Sequence, residues 1–115
     1  MTLLEGKTVL LTGSTGSLGS AIARTLSSAG ARIALTGTNN EKLNNLLMEL
    51  GSSHSAHSCD LSKFEEIDKL SDTVIEEFGS IDILINNAGV KKDDLLIRMK
   101  DDDWFNVINI NLNKS

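Results

Sequence analysis

The chain has 115 residues, 40% of them hydrophobic and 23% charged, the balance of one soluble globular domain with a single core. A formal net charge of −5 argues against nucleic acid as the main partner, because phosphate binding wants a basic face. No apolar run is long enough to span a membrane, no basic segment followed by an apolar stretch opens the chain, and a single cysteine excludes an internal disulfide. A reducing, cytoplasmic setting is therefore expected.

Lys7 to Thr12 reads as a buried strand, carried by the β-prone run Thr8-Val9-Leu10-Leu11. It leads into Thr12-Gly13-Ser14-Thr15-Gly16-Ser17-Leu18-Gly19, and a helix follows over Ser17 to Ala29 with Ile22, Leu26 and Ala29 on one face. Strand, glycine-rich turn and helix in succession present backbone N–H groups and a positive helix end to a phosphate. By itself such a turn is equally an ordinary loop.

Ala31 to Thr36 is a second strand, ended by Gly37. Thr38-Asn39-Asn40 is a turn that can also cap the next helix, Glu41 to Leu50, whose stripe is Leu43, Leu46, Leu47 and Leu50. Ser52 to Cys59 holds no strong strand former; a short strand is placed there because the alternation requires one. A helix starting at Asp60-Leu61-Ser62 carries Phe64, Ile67, Leu70, Val74 and Phe78, the strongest periodicity in the chain. Ile81 to Ile85 is a fourth strand, running into Asn86-Asn87-Ala88-Gly89.

Val90 to Lys100 reads as a charged connection. Asp101-Asp102-Asp103 caps a last helix with Trp104, Val107, Ile108 and Leu112 as its buried stripe, since acids favour a helix N-terminus. Strands alternating with helices imply right-handed crossovers, a parallel α/β sheet, and a ligand outside the carboxyl ends of the strands. His54, His57 and Cys59 lack the arrangement of partners a metal site needs. Cys59 reads as a small buried residue.

Four of these stretches together resemble the classical short-chain dehydrogenase/reductases: Thr12 to Gly19, Asp60-Leu61, Asn86-Asn87-Ala88-Gly89 and Asn111-Leu112. The resemblance covers essentially the whole chain. A narrower one, to bacterial 3-oxoacyl-(acyl-carrier-protein) reductases, lies in Asn86 to Lys100 followed by Trp104, above all in Leu95-Leu96-Ile97-Arg98-Met99-Lys100.

The resemblance implies an α/β, Rossmann-type, doubly wound parallel sheet, truncated to about four strands of the family's usual seven. Residues 1–115 would be the N-terminal, dinucleotide-binding half. It further implies that Gly13, Ser14, Thr15, Gly16, Ser17, Leu18 and Gly19 hold the cofactor phosphates, and that Cys59, Asp60 and Leu61 flank the adenine. Asp60 is equally well placed as a helix cap. Asn86 would lie by the adenosine ribose, Asn87, Ala88 and Gly89 would support the central strand and the nicotinamide side, and Asn111 would be the catalytic asparagine that holds a water in a proton relay.

Two departures stand out in the turn. Ser17 occupies the place of the middle glycine, and Gly16 sits where many NADP-using members place arginine. After the second strand, Gly37, Thr38 and Asn39 offer no acid to bind a ribose 2′-hydroxyl, which favours NADP(H) over NAD(H), with Thr38 and Asn39 as donors to the 2′-phosphate. Glu41 reads as first-turn helix chemistry.

By resemblance the activity is NADPH-dependent reduction of a 3-oxoacyl to a 3-hydroxyacyl group on acyl carrier protein, in fatty-acid biosynthesis. Lys91, Lys92, Arg98 and Lys100 either meet that acidic carrier or form a solvated loop. The family's proton donor is a tyrosine four residues before a lysine, and this chain contains no tyrosine. The 115-residue polypeptide is therefore expected to be inactive as a reductase. The alternatives are a non-catalytic nucleotide-binding fragment and a dehydrogenase with another alcohol or ketone substrate. Full-length relatives form homotetramers. With one neighbour missing, the strand Ile81–Ile85 is expected to leave an apolar edge that invites association.

Overall fold

The computed structural model describes residues 3–60, 64–87, 94–101 and 104–111. The elements in chain order are β1 (Thr8–Leu11), α1 (Ser17–Ser28), β2 (Arg32–Gly37), α2 (Asn40–Leu50), β3 (Ser55–Ser58), α3 (Phe64–Phe78), β4 (Ile83–Asn86), β5 (Asp94–Asp101) and β6 (Trp104–Asn111). They build one six-stranded sheet in the order β3-β2-β1-β4-β5-β6.

The first four strands are parallel, as expected. Val9 lies opposite Ile33 on one side and Ile83 on the other, and Leu35 lies opposite Ala56. β1 sits in the middle of this parallel part, so both its faces are covered, and all four of its residues are buried. That is why its sequence is a continuous run rather than an alternation.

Helices pack on both faces, which makes the sheet doubly wound. On one face Val9, Leu11, Ile33, Leu35, Ile83 and Ile85 meet Ala23 of α1 and Leu43 and Leu46 of α2. On the other, Leu10, Ala34 and Leu84 meet Leu70, Val74 and Phe78 of α3. The chain order reverses direction across the sheet between β1 and β4, and the carboxyl ends of these two strands frame the crevice where such sheets take ligands.

The C-terminal part departs from the sequence reading. Asp94–Asp101, expected to belong to a connection, is strand β5, and Trp104–Asn111, expected to be helical, is strand β6. β5 is antiparallel to β4, with Ile85 opposite Ile97, and β6 is antiparallel to β5, from Asp94 opposite Asn111 to Asp101 opposite Trp104.

Two physical reasons favour strands here. Trp104, Phe105, Val107, Ile108 and Ile110 are β-branched or aromatic, while the interspersed asparagines are poor helix formers. An open edge of β4 also presents unpaired backbone groups that an antiparallel neighbour satisfies. The expected exposed edge of β4 is accordingly covered. Asp101 ends a strand instead of capping a helix, and Asp102 and Asp103 lie outside the described residues. Among the described residues no helix is long and apolar enough to cross a membrane.

Candidate functional site

The site grows from the carboxyl end of β1. Gly13 turns the chain with a φ of +65°, a conformation L side chains rarely adopt. Gly19, in the first turns of α1, is buried directly against it: a Cβ at Gly19 would run into the Gly13 carbonyl oxygen and carbon. The two glycines thus close the turn onto the helix with no room for another atom.

Ser14 is a strut of this turn. Its hydroxyl is fully buried, donates to the Leu11 carbonyl at 2.8 Å, and accepts from the Thr36 N–H at 3.0 Å, while the Ser14 N–H donates to the Thr36 carbonyl at 2.8 Å. Thr36 adds a bond from its own hydroxyl to the Leu11 carbonyl at 2.9 Å. The turn is therefore bolted to the end of β2 by bonds that use up the serine side chain.

Gly16 is the N-cap residue of α1, with extended backbone, and no side chain caps the helix. No acid stands in its first turn. Gly16, Ser17 and Leu18 are exposed and Thr15 is half-buried. The helix start thus offers its orphan N–H groups and positive pole to the crevice without a competing carboxylate, the arrangement an anion needs.

The opposite wall comes from β4. Thr12 is its hub: the hydroxyl accepts from the Asn87 N–H at 2.9 Å and lies 3.1 Å from Asn86 Oδ1 and 3.4 Å from the Ile85 carbonyl oxygen as donor. The Asn87 side chain donates from Nδ2 to the Gly13 carbonyl at 3.2 Å. The same carbonyl that Gly19 packs against is thereby held from the β4 side, so the glycine turn and the end of β4 form one unit. Below it, Asp82 Oδ2 accepts from the Thr8 N–H and the Asp82 N–H donates to the Thr8 carbonyl, both at 2.9 Å, which fixes β4 beside β1.

Thr38 and Asn39 lie exposed at the end of β2. Asn39 is the N-cap of α2, its Oδ1 accepting from the Lys42 N–H at 3.0 Å. Cys59 donates its N–H to the Gly37 carbonyl at 3.0 Å and buries its thiol 3.8 Å from the Glu66 carbonyl. Burial, with the Glu66 and Asp60 carboxylates adding to it, pushes that thiol above its ordinary pKa, so it stays protonated and is no nucleophile. Asp60 is exposed and falls ahead of Phe64, the first residue of α3.

Other expected residues fall elsewhere. Asn111 is on β6, opposite Asp94, separated from β1 by β4 and β5 in the sheet; it is on a strand and not in the helix expected for it. Arg98 is exposed on β5. Leu61, Ala88, Gly89, Lys91 and Lys92 lie outside the described residues.

The two histidines face different partners. His54 is buried, accepts from the Ile33 N–H at Nδ1 (3.1 Å) and pairs with the Ser27 hydroxyl at Nε2 (3.0 Å). His57 lies 2.9 Å from Glu77 Oε1 and 3.0 Å from the Ser55 hydroxyl.

Sequence reasoning missed the structural parts played by Thr12, Asp82 and His54. A carboxylate inside the apolar run Ile81–Ile85 was a visible signal for Asp82. His54 carried none, because its partners come from β2 and α1.

A model of the short chain dehydrogenase family matches residues 7–114. Nodulation protein G of Rhizobium sp. (strain N33) is 42% identical over 109 residues, 95% of this chain and 44% of that protein. The 3-oxoacyl-[acyl-carrier-protein] reductase of Rickettsia prowazekii is 43% identical over the same shares of the two chains. This chain spans less than half the length of the curated relatives it matches.

Among solved structures, a metagenomic short-chain oxidoreductase in complex with NADP is 40% identical, with a TM-score of 0.70 over 76% of this chain and 41% of that one. A 3-ketoacyl-(acyl-carrier-protein) reductase from Brucella melitensis complexed with NADH is 28% identical, with a TM-score of 0.68 over 70% of this chain and 33% of that one.

Proposed function

We infer the function from one premise: this chain belongs to the short chain dehydrogenase family. Residues 1–115 form the dinucleotide-binding half of a reductase, and the cofactor is NADP(H). The turn from Gly13 to Gly19 takes the pyrophosphate against main-chain N–H groups and the start of α1. Asn86 lies by the adenosine ribose, Asn87 supports the nicotinamide side, and Thr38 and Asn39 donate to the 2′-phosphate. Cys59, Asp60 and Leu61 border the adenine. When bound, the nicotinamide supplies the hydride for a carbonyl carbon.

The observation that carries this reading is the closure of Gly19 onto the Gly13 carbonyl beside an uncapped, acid-free helix start. A Cβ at Gly19 would displace the Gly13 carbonyl, so the two glycines hold the turn tight on α1 and leave the exposed helix start to an anion that must approach the main chain. The absence of an acid at Gly37, Thr38 and Asn39 supports NADP(H) over NAD(H).

The reaction the site serves is reduction of a 3-oxoacyl to a 3-hydroxyacyl group on acyl carrier protein, in the cytoplasm. Support comes from the Leu95 to Lys100 segment and from relatives named as 3-oxoacyl-[acyl-carrier-protein] reductases at about 40% identity. Asn111 is the residue of this chain proposed for the proton relay. Because the chain holds no tyrosine, the 115-residue polypeptide alone binds nucleotide without turning over substrate.

Titrating the pure chain with NADPH while following nicotinamide fluorescence tests the first part. A saturable change is expected, and its absence would sink the nucleotide reading. Adding an acetoacetyl thioester tests the second: no NADPH oxidation is expected, and turnover by the mass-verified chain would overturn the claim of inactivity.

A further inference from the structure

We propose that β6 is a docking edge for a second copy of this chain, the two β6 strands pairing antiparallel about a two-fold axis so that one sheet runs through both chains. The sheet has two outer strands, β3 and β6, and among the described residues each pairs on one side only. The outward N–H and C=O groups of such a strand are a template for another strand.

The two edges are built differently. β3 is four residues long, Ser55–Ser58, and His57 ties it to α3 through Glu77 at 2.9 Å. A short edge anchored to a helix is a poor template. β6 is eight residues long, Trp104–Asn111, and contains no charged residue, no proline and no glycine. Its pairing with β5 runs unbroken from Asp94 opposite Asn111 to Asp101 opposite Trp104, so no bulge twists it away. The devices that blunt an edge strand are thus missing from β6. Trp104, Phe105, Val107, Ile108 and Ile110 give it strand preference of its own, and an uncharged, β-prone run of this length is the composition that strand-to-strand association favours.

The hairpin fixes which groups are free. Asp101 stands opposite Trp104 with two residues between them, the spacing at which a hairpin's closing pair is hydrogen-bonded. Counting by twos, Trp104, Asn106, Ile108 and Ile110 turn their N–H and C=O groups to β5. Phe105, Val107, Asn109 and Asn111 turn theirs to the open side.

Charge and length argue for a second copy as the occupant. Each chain carries a net charge of −5, so two copies repel unless they meet along an uncharged strip, which β6 supplies. Self-pairing matches the strand with one of its own length and puts no like charges opposite each other. A foreign strand bearing charges would find none on β6 to pair with. Because each β6 satisfies the other, the contact closes at two chains and leaves the short β3 edges outermost.

The test measures mass by sedimentation across a concentration series and backbone amide exchange by NMR. The unmodified chain is expected at twice the chain mass, with the Phe105, Val107 and Asn109 amides slowing as the pair forms and those of Ser55–Ser58 unchanged. Val107→Pro removes an outward N–H without touching the ladder to β5, and Val107→Lys sets like charges near the axis; both should fall to the mass of one chain while keeping the helical circular-dichroism signal. Ser58→Lys, on the other edge, should stay at two. Where a variant loses the helical signal, exchange in the unmodified chain decides. A mass of one chain throughout, a pair that survives both Val107 variants in folded chains, or protection that builds elsewhere would each overturn the proposal. A mass that climbs past two chains would overturn the two-fold closure in favour of open stacking.

Discussion

Replacing Gly19 by alanine adds one carbon where the Gly13 carbonyl already sits, so the turn and α1 must separate. Overpacking of this kind costs about 1–3 kcal/mol, and it also opens the phosphate cradle. Gly19→Ala should therefore lower the urea midpoint and weaken NADPH by more than tenfold; fluorescence titration at a urea concentration of zero separates the two effects. Thr12 gives a sharper comparison. Thr12→Val is close in volume but removes the acceptor of the Asn87 N–H, a loss of about 1–3 kcal/mol. Thr12→Ser keeps the hydroxyl and should recover most of that stability in the same urea melts. If valine and serine behave alike, the hydroxyl is not the hub.

Buried side chains bridge elements in this fold, and His54 does so between a helix and a strand. It ties the start of β2 to the end of α1, and Nδ1 must be unprotonated to accept from Ile33, so Nε2–H is the donor to Ser27. Burial pushes the pKa of this imidazole below its ordinary value of 6.5. The unfolded chain then binds more protons than the folded one wherever pH lies between the two pKa values. Stability is complete above about 6.5, falls as pH drops through that value, and levels off below the folded pKa. Urea melts from pH 8 to pH 5 should show this loss, and His54→Gln should flatten the part of the slope just below 6.5. An unchanged slope in the variant would assign the acid sensitivity to other groups. The α2 cap makes a smaller test: Asn39→Ala should cost about 0.5–2 kcal/mol by removing the acceptor for the Lys42 N–H.

Across the whole molecule, two cores share one sheet, and the ends of β1 and β4 meet where the chain order reverses. That placement, rather than any one side chain, puts the glycine turn beside Asn86 and Asn87. The hairpin β5–β6 moves the open edge away from β4, whose Ile83 and Ile85 belong to the core. Arg98 lies in the middle of β5, opposite Leu84 on β4 and Val107 on β6, so Arg98→Pro removes a ladder N–H between two neighbours. The variant should uncover the edge of β4 and raise the apparent mass in size-exclusion chromatography with multi-angle light scattering. An unchanged mass would mean that the hairpin does not guard that edge.

Much of this architecture is legible in the sequence because its causes are local. Three apolar runs punctuated by glycine, and apolar residues three and four apart between them, yield β1, β2, β4 and the three helices, since periodicity and turn residues act within a few positions; β3, Ser55–Ser58, has no such run and follows only from the alternation. Gly13 and Gly19 are legible for the same reason: a turn that tight tolerates little else. Residues 94–111 are not, because their pattern fits a helix or a strand, and the unsatisfied edge of β4, distant in sequence, decides between them. Tertiary structure alone also assigns Ser14 and Thr12 to holding the turn and pairs Arg24 with Glu49. Each of those outcomes depends on partners more than twenty positions away or on another element of the sheet, and no local pattern encodes which polar atoms will meet there.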